Sequence, residues 1–231
     1  TPDWKECYHM KLLNSMATIA GFTLLSRVAG MIRDMLTAAF LGAGPIADAF
    51  FVALKLPNLF RRVAAEGAFS VSFIPLYTKT LTNEGEEAAG KFSGEVFSVM
   101  ALILSIFSVV VMLAMPWVIH LIAPGFEEGT ERYSWAVTLT QITFPYLMLM
   151  SFVALLGGML NAHSKFAPFA AAPIIFNLTL IAFMLIGGHL FPTVGHAMAV
   201  GVAVSGLFQL AMMTFFIRRH KIVFHFQRPK L

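Results

Sequence analysis

Hydrophobic residues fill most of the chain in long stretches, and short polar or Gly/Pro-containing segments separate these stretches. A helix needs about 20 residues to cross about 30 Å of hydrocarbon. When the chain is divided at its Gly, Pro and charged interruptions, six stretches reach that length. They cover roughly residues 12–41, 45–81, 93–122, 132–160, 167–188 and 194–217. The pattern predicts an all-α integral membrane protein, built as a six-transmembrane-helix bundle.

Charged residues are concentrated in the first two stretches, whereas the last four are largely apolar. A charge at bilayer depth costs at least about 2.5 to 3.5 kcal/mol on insertion scales, so such residues usually face a partner or a water-filled cavity. Apart from Lys79 at the end of the second stretch, the basic residues are Arg27, Arg33, Lys55, Arg61 and Arg62, and the acidic residues are Asp34, Asp48 and Glu66. We therefore expect the first two stretches to line a cavity.

Several of these charges also have a structural explanation. Asp48 lies near the start of the second stretch, where a carboxylate interacts favourably with the helix dipole, so a capping role and a substrate role remain equally open. The Lys55 side chain is long enough to reach the membrane interface. Arg62 and Glu66 are spaced i,i+4, which suits an ion pair that holds helices in place.

The balance of charge favours an anion-binding cavity over a purely structural network. Without Lys79, which lies at the end of the second stretch, five basic residues against three acidic residues leave a surplus of two positive charges in the first two stretches. A structural network should approach neutrality, because an uncompensated buried charge costs several kcal/mol. The planar fork of Arg matches the oxygens of a phosphate group. On a helical wheel Arg27 and Asp34 fall within about 20° of each other, whereas Arg33 projects to a different side.

The last four stretches contain mainly structural features. Asn161 and Asn177 are expected to form hydrogen bonds between helices, and Gly206 is expected to permit close helix packing. Pro145 and Pro173 are expected to bend their helices.

Composition supports a membrane protein and excludes several other classes. Of the 231 residues, 58% are hydrophobic and 12% charged, whereas soluble domains have about 25% charged residues. The net charge of +4 does not indicate nucleic-acid binding, because the basic residues lie within the hydrophobic stretches or flank their ends. Cys7 is the single cysteine, so neither an intrachain disulfide nor a cysteine-based metal site is expected.

The Lys and Arg residues of the connecting segments predict the orientation. Ten lie on the side of the two termini, whereas Arg132 is alone on the opposite side. Both ends are therefore expected to be cytoplasmic. Residues 1–9 are expected to be an upstream or cloning-derived remnant before a natural start at Met10. No cleavable signal peptide is expected, because charged residues interrupt the first stretch.

Four blocks of sequence resemble a known family. The longest is residues 26–77, which read SRVAGMIRDMLTAAFLGAGPIADAFFVALKLPNLFRRVAAEGAFSVSFIPLY. The others are APGF at 123–126, ITFPYLMLMS at 142–151 and LNAHSKFAPFAAAPIIFN at 160–177. The chain from Met10 to about residue 220 resembles the MurJ (MviN) lipid II flippases, within the multidrug/oligosaccharidyl-lipid/polysaccharide exporter superfamily.

The resemblance implies a transporter rather than an enzyme. Its cargo is lipid II, a disaccharide-pentapeptide on undecaprenyl diphosphate, carried from the cytoplasmic to the periplasmic leaflet of the bacterial inner membrane. The residues implied as contacts for the diphosphate or the adjacent sugar-peptide are Arg27, Arg33 and Arg61. The residues implied in gating and ion pairing are Asp34, Asp48, Arg62 and Glu66. Bending points for alternating access are expected at Gly30, Gly42, Gly44 and Pro57.

The resemblance covers one lobe of a two-lobe transporter. Residues 10–220 match the N-terminal six-helix lobe, and residues 221–231 are expected to be a basic cytoplasmic tail or the start of an inter-lobe linker. The expected partners are lipid II, membrane lipids and the missing C-terminal lobe. No cofactor is expected. The resemblance implies coupling to membrane potential or an ion rather than to ATP, which is consistent with the absence of the ATP-binding pattern GxxxxGK[ST] from the sequence.

Other functional classes predict different behaviour. A drug or polysaccharide-lipid exporter of the same superfamily shares the lobe but does not require this Arg set. A structural membrane scaffold tolerates Ala at Arg27, Arg33 and Arg61. An intramembrane enzyme acting on polyprenyl diphosphates needs clustered carboxylates for Mg²⁺ or a nucleophile with its base, and the sequence contains neither pattern.

Overall fold

The computed structural model describes residues 4–61, 68–187 and 189–227. These residues form helices and contain no strand, which confirms the predicted all-α class. The helices are α1 (Trp4–Leu41), α2 (Pro45–Arg61), α3 (Ala68–Glu84), α4 (Glu86–Leu113), α5 (Met115–Ile122), α6 (Glu131–Thr143), α7 (Tyr146–Ala162), α8 (Ala167–Gly187) and α9 (Val194–Arg219).

The helices follow the hydrophobic stretches, but three stretches are divided. The second stretch contains α2 and α3, with the undescribed residues 62–67 between them. The third divides at Ala114, just before Pro116 in the first turn of α5. The fourth divides around Pro145, because a proline lacks the N–H that would continue the hydrogen-bond pattern. By contrast, α8 continues through Pro173.

The predicted count of six spans is not confirmed. Within the described residues, four segments are long and apolar enough to cross a membrane: Glu86–Leu113, Glu131–Ala162, Ala167–Gly187 and Val194–Arg219. α2 and α3 have only 17 residues each. α1 is 38 residues long and extends into residues 1–9.

α7 lies at the centre of the fold. Its residues from Tyr146 to Leu160 are almost all buried, and it packs against α9, α3 and α4. A Cβ atom at Gly206 of α9 would lie 2.9 Å from the Leu149 Cδ1 atom, so the missing side chain lets the two helices approach closely. α8 packs extensively against α9, and α1 packs chiefly against α8. α1 is thus attached to the body mainly through one neighbouring helix.

The segment after α9 runs along the first turns of α4. The His225 backbone N–H donates to the Gly90 carbonyl oxygen at 3.3 Å, and the His225 Nε2 atom lies 2.9 Å from the Glu87 Oε2 atom. A Cβ atom at Gly94 would overlap the His225 carbonyl group. The missing side chains of Gly90 and Gly94 therefore make room for the backbone near Val223 and His225.

Candidate functional site

A cavity of about 1070 Å³ lies between α1, α2, α7, α8 and α9. It follows α1 from Ile19 to Thr37, a length of about 27 Å at a rise of 1.5 Å per residue. One end is lined by Asn161 and Phe166, beside the connection between α7 and α8. The cavity therefore extends along most of a bilayer-length helix instead of forming a shallow surface depression.

Four charged residues from the predicted set line this cavity. α1 contributes Arg27, Arg33 and Asp34, and α2 contributes Lys55. Three basic residues against one acidic residue leave a surplus of two positive charges among the described lining residues. Lys55, for which the sequence also allowed an interfacial position, is one of them. The described cavity is thus strongly cationic for a space surrounded by apolar helices.

The guanidinium group of Arg33 is held by three groups. Its Nε and Nη2 atoms donate to the Asp34 Oδ1 atom at 3.1 and 2.7 Å. Its Nη1 atom donates to the Asn177 Oδ1 atom at 2.8 Å, and its Cζ atom lies 5.7 Å from the centre of the Phe176 ring. The helical wheel separated Arg33 from Asp34, but the long Arg33 side chain bends back and brings the two charges together.

Asn177 connects α8 to α1. Its Nδ2 atom donates to the Ser26 carbonyl oxygen at 3.1 Å while its Oδ1 atom accepts from Arg33, and its side chain is buried. A Cβ atom at Gly30 would lie 3.5 Å from the Asn177 Nδ2 atom, in van der Waals contact. The predicted interhelical hydrogen bonds of Asn177 are confirmed. Nothing in the sequence indicated that one of its partners would be a cavity arginine.

Arg27 and Lys55 differ from Arg33 in having no described partner for their charges. The side chains of Arg27 and Lys55 are exposed to the cavity. In the part of the chain that the structure describes, no residue forms a hydrogen bond or an ion pair with either one. Their charges are therefore available to a ligand, whereas the charge of Arg33 is already partly compensated.

Of the remaining predicted charged residues, only Asp48 has a described side chain, and it is not among the residues that line the cavity. The Asp48 Oδ2 atom forms an ion pair with the Arg132 Nη2 atom at 3.0 Å, which joins the start of α2 to the start of α6. Arg61 ends α2, but its side chain is not among the described groups. Arg62 and Glu66 lie outside the described residues.

The predicted bending points lie inside α1, inside α2 and in the turn between these two helices. Gly42 has a φ of +63° at the end of α1, a conformation that favours glycine. Gly44 follows it, directly before α2. Gly30 lies inside the continuous α1, and Pro57 lies inside α2, which continues to Arg61. Their role in bending stays a prediction.

A second polar contact lies near the Asn161 end of the cavity. The Tyr77 hydroxyl group and the His163 Nε2 atom are 3.1 Å apart, joining α3 to the residue after α7. Burial lowers the pKa of His163; Glu86 opposes this effect, and Lys165 adds to it. His163 therefore favours its neutral form. The buried Asn161 Oδ1 atom has no hydrogen-bond partner among the described residues, so the predicted interhelical bond of Asn161 is not seen.

The apolar helices and the charged cavity between them define a polytopic helical membrane protein with a cationic internal site. The family described as "Lipid II flippase MurJ" matches residues 37–230 of this chain. The chain belongs to the MurJ family, as the sequence resemblance predicted.

Individual relatives agree with this assignment. The chain is 41% identical over 226 residues to the probable lipid II flippase MurJ of Rhizobium meliloti (strain 1021), covering 96% of this chain and 42% of the relative. It is 38% identical over 201 residues to the lipid II flippase MurJ of Burkholderia cenocepacia, covering 87% of this chain and 39% of the relative. The chain therefore spans about two fifths of the length of these relatives.

A solved structure has a similar fold. It is described as "Lipid II flippase MurJ, inward closed conformation", and it matches with a TM-score of 0.73 at 25% identity. The match covers 91% of this chain and 43% of the other. The extent of the match fits one lobe of a two-lobe protein.

Proposed function

We propose that this chain forms the N-terminal lobe of a lipid II flippase. The flippase moves undecaprenyl-diphosphate-linked peptidoglycan precursor from the cytoplasmic to the periplasmic leaflet of the bacterial inner membrane. The observation that carries this proposal is the surplus of two positive charges among the described residues of the cavity. A diphosphate carries about the charge that would neutralise it, and charge-assisted hydrogen bonds to phosphate oxygens are among the stronger ones in proteins.

In this proposal Arg27 and Lys55 make the first contacts with the diphosphate, because neither is paired with a described residue. Arg33 and Arg61 join them as the headgroup settles, while the polyprenyl chain stays in lipid. A volume of about 1070 Å³ slightly exceeds the roughly 300–1,000 Å³ of pockets for drug-sized ligands, which suits a bulky glycopeptide headgroup. The aromatic rings of Phe166 and Phe169 offer apolar surface to its sugar rings.

Transport follows an alternating-access cycle between this lobe and a C-terminal lobe, which supplies the other wall of the cavity. The lobe has six spans with both ends cytoplasmic, and membrane lipids surround it. The residues that gate the cycle through changing ion pairs are Asp34, Asp48, Arg62 and Glu66. The positions that bend are Gly30, Gly42, Gly44 and Pro57.

Membrane potential or an ion supplies the energy in this proposal, without ATP and without a chemical reaction. Moving one charge through 100 mV corresponds to about 2.3 kcal/mol, so moving two corresponds to about 4.6 kcal/mol. Because the cytoplasm is negative, the potential favours outward movement of an anionic headgroup. The negative charge of the proposed cargo and the outward direction of the proposed transport are therefore both consistent with coupling to the membrane potential.

Charge reversal tests the proposal. The protein at its native length should rescue bacteria depleted of their own lipid II flippase, and Arg27→Glu or Arg33→Glu should abolish rescue at equal membrane abundance. Arg219→Glu, at the end of α9 and outside the cavity lining, is the matched control and should retain rescue. Normal growth with Arg27→Glu would contradict the assignment. Transport of cationic drugs but not of purified lipid II would favour a drug exporter instead.

A further inference from the structure

The carboxylate of Asp34 occupies one hydrogen-bonding edge of the Arg33 guanidinium group. One oxygen, Oδ1, accepts from both Nε and Nη2, at 3.1 and 2.7 Å. These two atoms form one of the edges through which a guanidinium group holds carboxylate or phosphate oxygens with paired hydrogen bonds. The residue next to Arg33 in the sequence thus provides an anion at the place where an anionic ligand would bind.

Arg33 is fixed more firmly than Asp34. Its Nη1 atom donates to the buried Asn177, and its guanidinium group lies over the Phe176 ring. The Arg33 side chain is 25% exposed, whereas that of Asp34 is 70% exposed. No other described residue holds the Asp34 carboxylate. An incoming anion would therefore displace Asp34 and leave Arg33 in place.

We propose that Asp34 is an internal competitor for the anion site at Arg33, an inference that rests on the proposed function. In the empty cavity Asp34 compensates the charge of Arg33, which would otherwise be expensive in an apolar surrounding. When a diphosphate arrives, it exchanges with the carboxylate. When the diphosphate leaves, Asp34 takes its place again. The exchange keeps the affinity moderate, so that the site releases its cargo as well as binding it.

Diphosphate binding in a double-mutant cycle tests this inference. The protein at its native length is placed in nanodiscs of zwitterionic phosphatidylcholine, and the affinity for farnesyl diphosphate is measured. Asp34→Asn should tighten binding about threefold to fivefold, the range expected for a partly exposed ion pair. Arg33→Gln should weaken binding, and adding Asp34→Asn to Arg33→Gln should give no tightening, because the competing contact no longer exists.

A second carboxylate serves as the matched control. Glu131→Gln removes the same charge from the first turn of α6, outside the described lining of the cavity. It should leave the affinity unchanged, whereas a general effect of net charge would tighten binding in both variants. Equal tightening by Asp34→Asn with and without Arg33 would overturn the inference, as would no tightening at all. Failure of the unmodified protein to bind farnesyl diphosphate would overturn the diphosphate assignment as well.

Discussion

Replacing Asn177 with Leu should both destabilise the protein and loosen Arg33. The substitution keeps a side chain of similar size but removes the hydrogen bonds to Arg33 at 2.8 Å and to the Ser26 carbonyl oxygen at 3.1 Å. A hydrogen bond to a charged group contributes about 1.5–3 kcal/mol, and one between neutral groups about 0.5–1.5 kcal/mol. The sum is about 2–4.5 kcal/mol.

The lower end of this range applies to Asn177→Leu. Arg33 keeps its contact with Asp34, and water can reach the guanidinium group from the cavity. A loss of about 2 kcal/mol should lower the midpoint of thermal unfolding by about 4–8 °C for a chain of this size. The midpoint can be measured in detergent by the loss of monodisperse protein on heating. The affinity for a diphosphate should also fall, because residue 177 no longer orients the Arg33 guanidinium group.

Asn161→Leu is the matched control for this prediction. Asn161 also lines the cavity, but its buried Oδ1 atom has no described hydrogen-bond partner. The same chemical change there should be neutral or slightly stabilising, because it removes an unsatisfied polar group. An unchanged midpoint for Asn177→Leu would refute the role assigned to its hydrogen bonds. An equal fall for Asn161→Leu would show that the effect comes from the cavity wall in general.

Two further predictions concern the ends of the helices. Burial lowers the pKa of His163 below its ordinary value of 6.5, so the unfolded chain binds a proton more readily than the folded chain. The midpoint of thermal unfolding should therefore fall as the pH drops below about 6.5. His163→Gln should reduce this pH dependence. Gly94→Val should displace the backbone near His225 and speed tryptic cleavage after Lys221. Gly21→Val, with open space around the added side chain, should not change the cleavage rate. Equal cleavage rates in the two variants would contradict the packing of the segment after α9 against α4.

The order and approximate bounds of the helices could be predicted because length and hydropathy are local properties. α8 and α9 match their predicted stretches to within a few residues. The division at Ala114 was less visible, because the apolar sequence continues on both sides and only Pro116 marks it. The number of membrane spans was harder still, since α2 and α3 are short and the first two stretches mix polar and apolar positions.

The site could be predicted as a set of charges but not as a set of contacts. A helical wheel gives the direction of each Cβ atom, whereas the end of an Arg side chain lies several bonds farther out and can turn to a neighbouring face. This explains why Arg33 meets Asp34 despite the wheel. The partner of Asp48 was also inaccessible, because Arg132 is distant in the sequence and reaches it only through the packing of α2 against α6.

The attachment of α1 connects the stability of the fold with the properties of the cavity. α1 carries Arg27 and Arg33, yet it packs chiefly against α8 and makes few contacts with the buried centre. Asn177 lies in that contact and bonds both to the α1 backbone and to Arg33. A shift of α1 along α8 would therefore break the backbone contact and turn the guanidinium group in the same step. Movement of the helix and a change in anion affinity are thus expected to be coupled through one side chain.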